Sequence, residues 1–325
     1  MVMVVMVYLS LLSEQAMAKR VLGGLLALAC DALLPELPNQ LHPVVWMGKW
    51  IKRGEQFAPS NEADRLVWGA IWLGAGMGLS AGLAARIPKH PLAQALAAQS
   101  LLAYRALDRA VGEVQTALVA DDLAEARRLL SWHLVSRDTA ELSPSEVAAA
   151  AIESLAENLS DSVIAPLFWY LAAGLPGLAA YRMSNTFDAM WGYRNQRFEY
   201  LGKVAARCDD ALNLVPARLT AGLLWLVAHG QRQRTWQVVW RDHGKTASPN
   251  AGWPMAAMAG ALDTQLIKIG HYALGDGLTQ PDPALMQTAR QLARRVMFLV
   301  VVGLAMGAWG AEQVNAEAQR FKAIG

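Results

Sequence analysis

Between Arg137 and Arg218 the chain sets carboxylates, amides and guanidinium groups among segments apolar enough to enter a lipid bilayer. Glu146, Glu153, Glu157 and Asp161 are spaced so that, at about 100° per residue, they fall within an arc of roughly 80° on one helix. Ala148, Ile152, Leu155 and Leu159 gather on the opposite side, and no Lys or Arg within the segment neutralises the acidic stripe. A solvated helix face accounts for Glu146 as well as any function does. Glu157, Asn158 and Asp161 instead run on into an apolar span, where an ionisable group is costly unless it meets a partner, water or a ligand. Hard oxygen ligands grouped this way suit Mg²⁺, which binds through one or two carboxylates plus substrate phosphates.

Further along, Asn185 and Asp188 share a helix face at i, i+3. Gly192-Tyr193-Arg194-Asn195 follows, and Arg194 and Arg197 suit phosphate or carboxylate, bidentately where geometry permits; a basic segment touching lipid headgroups is the plainer alternative. Arg207, Asp210 and Arg218 fall on one side of a helix and Asp209 and Asn213 on the other, so internal ion pairing explains part of that set. The loop Ser248-Pro249-Asn250-Ala251-Gly252-Trp253-Pro254 leads into a small-residue helix, Met255–Leu262, whose N-terminus suits an anion as readily as it suits a plain turn. His42, in a Pro-rich loop, titrates near neutral pH when unperturbed, but a lone loop histidine is more often structural.

Two matches are rejected. Gly78-Leu79-Ser80-Ala81-Gly82 fits the G-x-S-x-G nucleophile pattern but lies inside an uncharged helical span rather than at a strand–turn–helix. Gly74-Ala75-Gly76 lacks the strand and downstream acid of a dinucleotide site, and no Walker A sequence occurs. Cys30 and Cys208 lack the spacing of a disulfide framework or zinc site.

The elements that must position these groups are helical and membrane-embedded. Of 325 residues 54% are hydrophobic and 17% charged, against about 25% charged in soluble domains. A net charge of +2 with no basic block interleaved with aromatics gives no reason to expect nucleic acid. Leu66–Ala85 is uncharged and of spanning length, with Gly74, Gly78 and Gly82 on one face for close helix packing. Val21–Leu34, Ser162–Tyr181, Leu219–Gly230 and Val296–Ala311 are the other apolar runs. No period-2 alternation extends far enough for a barrel. Pro91–Leu107 and Asp121–Ser136 read as soluble helices, and Ser143-Pro144-Ser145-Glu146 as a capping box opening a helix that reaches about Asp161.

Lys and Arg are dense over residues 86–137 and 232–295, which places both on the cytoplasmic side. Strict alternation then separates residues 182–218 from Glu153–Asp161, so Ser162–Tyr181 is expected to be broken or re-entrant near Gly174-Leu175-Pro176-Gly177. The expected fold is therefore an all-α polytopic membrane protein. It has about four or five membrane helices plus soluble helices in one domain over 1–325, with the motif-bearing region at 137–262. Residues 1–16 form an extension without an assigned role.

These motifs, in this order, resemble the CobD/CbiB family of cobalamin biosynthesis, the adenosylcobinamide-phosphate synthases. The resemblance rests on Arg137-Asp138-Thr139, Glu153-Ser154-Leu155-Ala156-Glu157-Asn158, Ala165-Pro166-Leu167-Phe168-Trp169 and Asn185-Thr186-Phe187-Asp188-Ala189-Met190. It continues through Gly192-Tyr193-Arg194-Asn195, Ala206-Arg207 with Asp209-Asp210, Asn213 with Pro216-Ala217-Arg218, and Ser248 to Pro254. His42-Pro43-Val44 and Gly48 match the family's N-terminal loop, and the likeness covers most of residues 20–310. The chain departs from it at Leu34-Pro35-Glu36, where an Asp-Pro pair is usual, and at Ala189, where Ser is usual.

The resemblance implies a multi-pass enzyme of the inner (cytoplasmic) membrane that joins adenosylcobyric acid to (R)-1-amino-2-propanol O-phosphate, or to aminopropanol, as an amide. ATP and Mg²⁺ would supply the activation. On that reading Glu153, Glu157 and Asp188 are catalytic, and Glu157, Asp161, Asp188, Asp209 and Asp210 hold Mg²⁺. Arg137, Asn158, Asn185, Arg194, Asn195, Arg207, Arg218, Ser248, Asn250 and Gly252 receive phosphates or the corrin carboxylate. Other late cobalamin-pathway enzymes are candidate partners, and the glycine face at 74, 78 and 82 suits a second subunit as readily as a neighbouring helix. The rival readings are a transporter whose polar residues line a path, for which no internal repeat is evident, and a non-catalytic scaffold.

Overall fold

The computed structural model describes residues 14–324. It divides into two compact units whose segments interleave along the chain: Met1–Leu102, Pro166–Ala211 and Val300–Gly325 in one, Ala103–Ala165 and Leu212–Leu299 in the other. The sequence read as a single domain. Of the N-terminal extension, residues 1–13 lie outside the described residues.

The first unit holds α1 (Glu14–Leu33), α2 (Pro43–Gln56), α3 (Glu62–Ala85) and α4 (Pro91–Gln99). Pro43 opens α2 at the first-turn position proline tolerates, and Asn61 caps α3 by accepting from the Ala63 amide at 2.9 Å. Trp50 of α2 stacks on Trp72 of α3, with ring centroids 4.3 Å apart. The close approach that glycine permits on α3 occurs at Gly69, against the Leu201 carbonyl, and at Gly76, against Trp50 and Phe187. Gly74, Gly78 and Gly82 have nothing within 4 Å of where a Cβ would stand, so the expected glycine face does not pack against the described chain.

The second unit holds α5 (Tyr104–Val119), α6 (Leu123–His133), α7 (Pro144–Leu159), α10 (Arg232–Asp242) and α11 (Gly252–Ala261). The capping box that opens α7 is formed in both directions: Ser143 Oγ accepts from the Glu146 amide at 3.3 Å and Glu146 Oε2 from the Ser143 amide at 2.7 Å. Ala148, Ile152, Leu155 and Leu159 are fully buried along α7, as its periodicity predicts. Asp108 of α5 holds Arg290 and Arg294, each at 2.9 Å, and so ties α5 to the start of α12 (Pro283–Ile324).

After α7 the chain makes a π-helical turn, Ser160–Ile164, and enters α8 (Ala165–Trp191). The break expected at 174–177 is present: Gly174 has φ 69° and ψ −166°, a conformation open to glycine alone, with Pro176 two residues on. Proline at 176 leaves the Ala172 carbonyl without its helical donor. Arg20 of α1 supplies one, donating through Nη1 to Ala172 O at 2.7 Å and to Leu171 O at 3.1 Å. A helix break inside an apolar span thus carries its own hydrogen-bond repair.

By length and composition three described helical stretches can cross a membrane: Glu62–Ala85, the continuous Pro144–Trp191 and Pro283–Gly310. Four or five were expected. Val21–Leu34 and Leu219–Gly230 are largely helical, in α1 and α9 (Lys203–Val227), but their helices also carry Lys19, Arg20 and Asp31, or Asp209, Asp210 and Arg218. Pro91–Leu107 is likewise not one helix. It breaks after Gln99, because the Ala103 amide donates to Ser162 O at 3.2 Å instead of continuing the ladder. Asp121–Ser136 shortens to α6, capped by Asp122. A small antiparallel hairpin, β1 (Leu266–Lys268) and β2 (Tyr272–Leu274), pairs Leu266 with Leu274 and was not anticipated. Its strands are three residues each, too short for alternation to register, and Gly270 turns between them at φ 74°.

Candidate active site

In the second unit the acidic stripe of α7 grades from edge to core. Glu146 is spent on the capping box, whereas Glu153 is buried, its side chain 7% exposed. Arg137 approaches Glu153 Oε2 at 3.9 Å, and Glu153 Oε1 is buried with no hydrogen-bond partner. A buried acceptor left unmade is costly, and such groups call for a reason. Glu153 and Glu157 line a cavity of about 150 Å³ together with Ser136, Arg137, Lys268 and Tyr272. Burial, and the nearby Glu153 and Glu157 carboxylates, push the Tyr272 phenol above its ordinary range, so it remains a protonated donor at neutral pH. Lys268 and Tyr272 escaped the sequence reading because the hairpin that brings them here did; Gly270 between two short apolar stretches was its only signal.

Asn158 is committed to the helix itself. Its Nδ2 donates to Ser154 O at 3.0 Å, and its Oδ1 accepts from Ser162 Oγ at 3.3 Å, bridging α7 and the π-helical turn. Asp161 lies half-buried in that turn, an irregularity common at functional sites.

Arg218 and the loop before α11, two separate candidates in the sequence, meet in the structure. Arg218 Nη1 donates to Asn250 Oδ1 at 3.2 Å, and its guanidinium lies 4.5 Å from the Trp253 ring centroid. The loop amides are less available than expected, since Ser248 Oγ accepts from the Asn250 amide at 3.2 Å and the Ala251 amide at 3.4 Å. Gly252 is buried where a side chain would strike the His243 carbonyl, a packing reason for glycine.

In the first unit Asn185 sits between Arg182 and Asp209: Arg182 Nη1 donates to its Oδ1 at 3.1 Å, and its Nδ2 donates to Asp209 Oδ1 at 3.4 Å. Asp188, one turn along, accepts the Gly192 amide on its backbone carbonyl at 2.7 Å, closing α8. A polar cavity of about 280 Å³ lies beyond, lined among others by Arg194, Lys203, Arg207 and Asp210. Arg207 is exposed and 3.7 Å from Asp210, while Asp209 and Asn213 are buried on the other side of α9, the division the helical spacing gave. Asn195 caps a turn by accepting the Phe198 amide at 3.0 Å. Arg197 is held by Glu55 instead of standing open for a phosphate.

The candidate Mg²⁺ ligands divide between the units, Glu157 and Asp161 in one, Asp188, Asp209 and Asp210 in the other. Among the described residues no three His, Cys, Asp or Glu side chains are grouped to hold a metal. A magnesium ion here fits only as that ion commonly binds, through one or two carboxylates with waters and substrate phosphates completing its shell.

The model of the family described as "CobD/Cbib protein" matches residues 24–300. A cobalamin biosynthesis protein CobD of Dehalococcoides mccartyi is 41% identical over 81% of this chain and 88% of its own length. The CobD of Rhodobacter capsulatus is 40% identical over 82% and 90%, and a cobalamin biosynthesis protein CbiB of Salmonella choleraesuis 36% over 80% and 86%. No solved structure matches the chain. With the motifs from Arg137 to Pro254 inside the matched region, and relatives alike over four-fifths of its length, this chain belongs to the CobD/CbiB family.

Proposed function

We propose that this chain acts in cobalamin biosynthesis as a membrane acid–amine ligase, joining adenosylcobyric acid to (R)-1-amino-2-propanol O-phosphate, or to aminopropanol, to give the adenosylcobinamide product. The family and its relatives' names support the pathway. The observation that carries the reaction type is the buried, half-paired Glu153 beside Arg137 and Glu157 in a small polar cavity. An amine must lose a proton as it becomes an amide nitrogen, and a carboxylate without a full complement of donors is equipped to take it.

When bound, ATP with Mg²⁺ would supply the activation, a phosphoryl group passing to the acid's carboxylate and ADP leaving. Amide formation then makes one C–N bond and breaks the C–O bond to the transferred phosphate. The amine proton passes to Glu153 or Glu157, and the phosphate leaves. Arg194 and Arg207 in the first unit, and Arg218 in the second, are the groups for phosphate or corrin carboxylate. Fixed positive charge lowers the barrier most where negative charge develops in the transition state. Asp188 with Asp209 or Asp210, and Glu157 with Asp161, are the carboxylate pairs that would hold a magnesium ion, which would supply charge neutralisation at the phosphates. The setting is the inner membrane, in several passes.

Purified protein supplied with adenosylcobyric acid, ATP and Mg²⁺ is expected to consume aminopropanol phosphate and form the amide, with no product when ATP is omitted. Corrinoid flux into liposomes without covalent change would replace this reading with transport.

A further inference from the structure

The cavity under the β1–β2 hairpin has a composition that points to the shape of its ligand. Two carboxylates, Glu153 and Glu157, face a space shared with two cations, Arg137 and Lys268, and one neutral hydroxyl donor, Tyr272. Its volume of about 150 Å³ is the room of roughly five waters, at about 30 Å³ each. That lies well below the roughly 300–1,000 Å³ of pockets for drug-sized ligands. It is too small to enclose a nucleotide or a corrin ring and has room for a short substituted chain.

A site for a simple anion would not carry two glutamates, and a site for a simple cation would not carry an arginine and a lysine. The unmade hydrogen bond at Glu153 Oε1 marks where a donor is wanted. Arg137 reaches only one oxygen of that carboxylate, and at 3.9 Å. Lys268 comes from the hairpin, its ammonium 5.9 Å from the Tyr272 ring centroid, so both groups are placed by one element. The Tyr272 hydroxyl lies within hydrogen-bonding reach of Glu153 and 3.8 Å from Met255 Sδ, so it stands at the carboxylates and can turn from them to a ligand oxygen.

We propose that this cavity is the subsite for the amine substrate, a short zwitterion whose ammonium sits on Glu153 and Glu157 and whose phosphate sits on Arg137, Lys268 and Tyr272. This rests on the ligase reading and adds to it a place for the amine and two residues, Lys268 and Tyr272. The same carboxylates that hold the ammonium are then in place to take one proton before attack, which frees the nitrogen lone pair, and a second as the C–N bond forms.

The test uses the full-length protein in detergent and compares aminopropanol phosphate with aminopropanol, by calorimetry and by steady-state ligation. Lys268→Met is expected to weaken aminopropanol phosphate about tenfold or more, as loss of a charge-assisted hydrogen bond does, in both Kd and KM. It should change aminopropanol by less than about twofold and leave the KM for ATP and for the corrinoid unchanged, while Lys268→Arg restores most of the loss. Tyr272→Phe should follow Lys268→Met in direction. A fold defect would move every substrate together and would not be rescued by arginine. Ligation by wild type with the amine KM unmoved in Lys268→Met overturns the subsite and spares the ligase. Binding of aminopropanol phosphate that weakens in Lys268→Met, with no ligation of any amine, supports the subsite and overturns the ligase.

Discussion

A carboxylate one turn inside a helix can be surface, core or chemistry, and what distinguishes Glu146, Glu153 and Glu157 is their partners. Glu146 closes a capping box; Glu153 is buried with one oxygen unmatched; Glu157 shares its cavity. Replacing Glu157 or Asp188 by the isosteric amide is therefore expected to slow amide formation by about a hundredfold, the usual worth of a positioned acid or base. Single-turnover rates with saturating substrates measure it, and wild-type rates in both variants would remove them from the site. Asp242 makes a separate, structural prediction. It is fully buried, bonded to Arg241 at 2.8 Å, to Lys245 at 2.6 Å and to the Gly275 amide at 2.7 Å. Burial alone would raise its pKa, but those donors outweigh it and hold the carboxyl at about 2. Folding is thus stabilised above the unfolded-state pKa of about 3.9, and that stabilisation is lost as pH falls from there through about 2. Asp242→Asn should lower stability at pH 7 by roughly 2–4 kcal/mol, and thermal unfolding of the two proteins should converge between about pH 4 and pH 2.

At the scale of the element, two glycine classes on α3 look alike in sequence and differ in packing. A Cβ at Gly76 would stand 2.9 Å from Trp50 Nε1 and 3.1 Å from Phe187, whereas one at Gly78 would meet nothing within 4 Å. Gly76→Leu is expected to cost about 1–3 kcal/mol by overpacking. Gly78→Leu should stay within about 0.5 kcal/mol in detergent. Equal losses in thermal unfolding would show that the open face is packed after all. The break in α8 is a second case. Gly174-Leu175-Pro176-Gly177 announced an interruption in sequence, yet nothing in the chain announced that Arg20, some 150 residues away, would donate to the carbonyls it frees. Arg20→Met should destabilise by about 1–2 kcal/mol, the penalty of a part-buried acceptor that loses its donor, and Arg20→Lys by less, read again by thermal unfolding.

For the whole molecule, three stretches of spanning length and hydropathy make it a membrane protein, and purified membranes washed with alkaline carbonate should retain it. Release into the wash would contradict the spans. The count was less legible than the class. Apolar runs such as Leu219–Gly230 are conspicuous in sequence, but α9 extends them upstream through Asp209, Asp210 and Arg218. Whether a run becomes a span depends on the helix that contains it.

The sequence by itself determined the class, the family likeness and most of the polar inventory, because these depend on composition, motif order and 3.6-residue spacing, all local. Helix faces followed from the same arithmetic: Asp209 and Asn213 are buried, with Arg207 opposite them, and Leu155 and Leu159 lie in the core. Tertiary structure decided which of those groups are available. It committed Asn158, Asn195, Ser248 and Arg197 to bonds within the protein, and it carried Lys268 and Tyr272 on a hairpin to Glu153 across more than a hundred residues. Spacing along a helix fixes direction. Only packing fixes which partner waits in that direction, because a hydrogen bond is made or missed within a few tenths of an ångström.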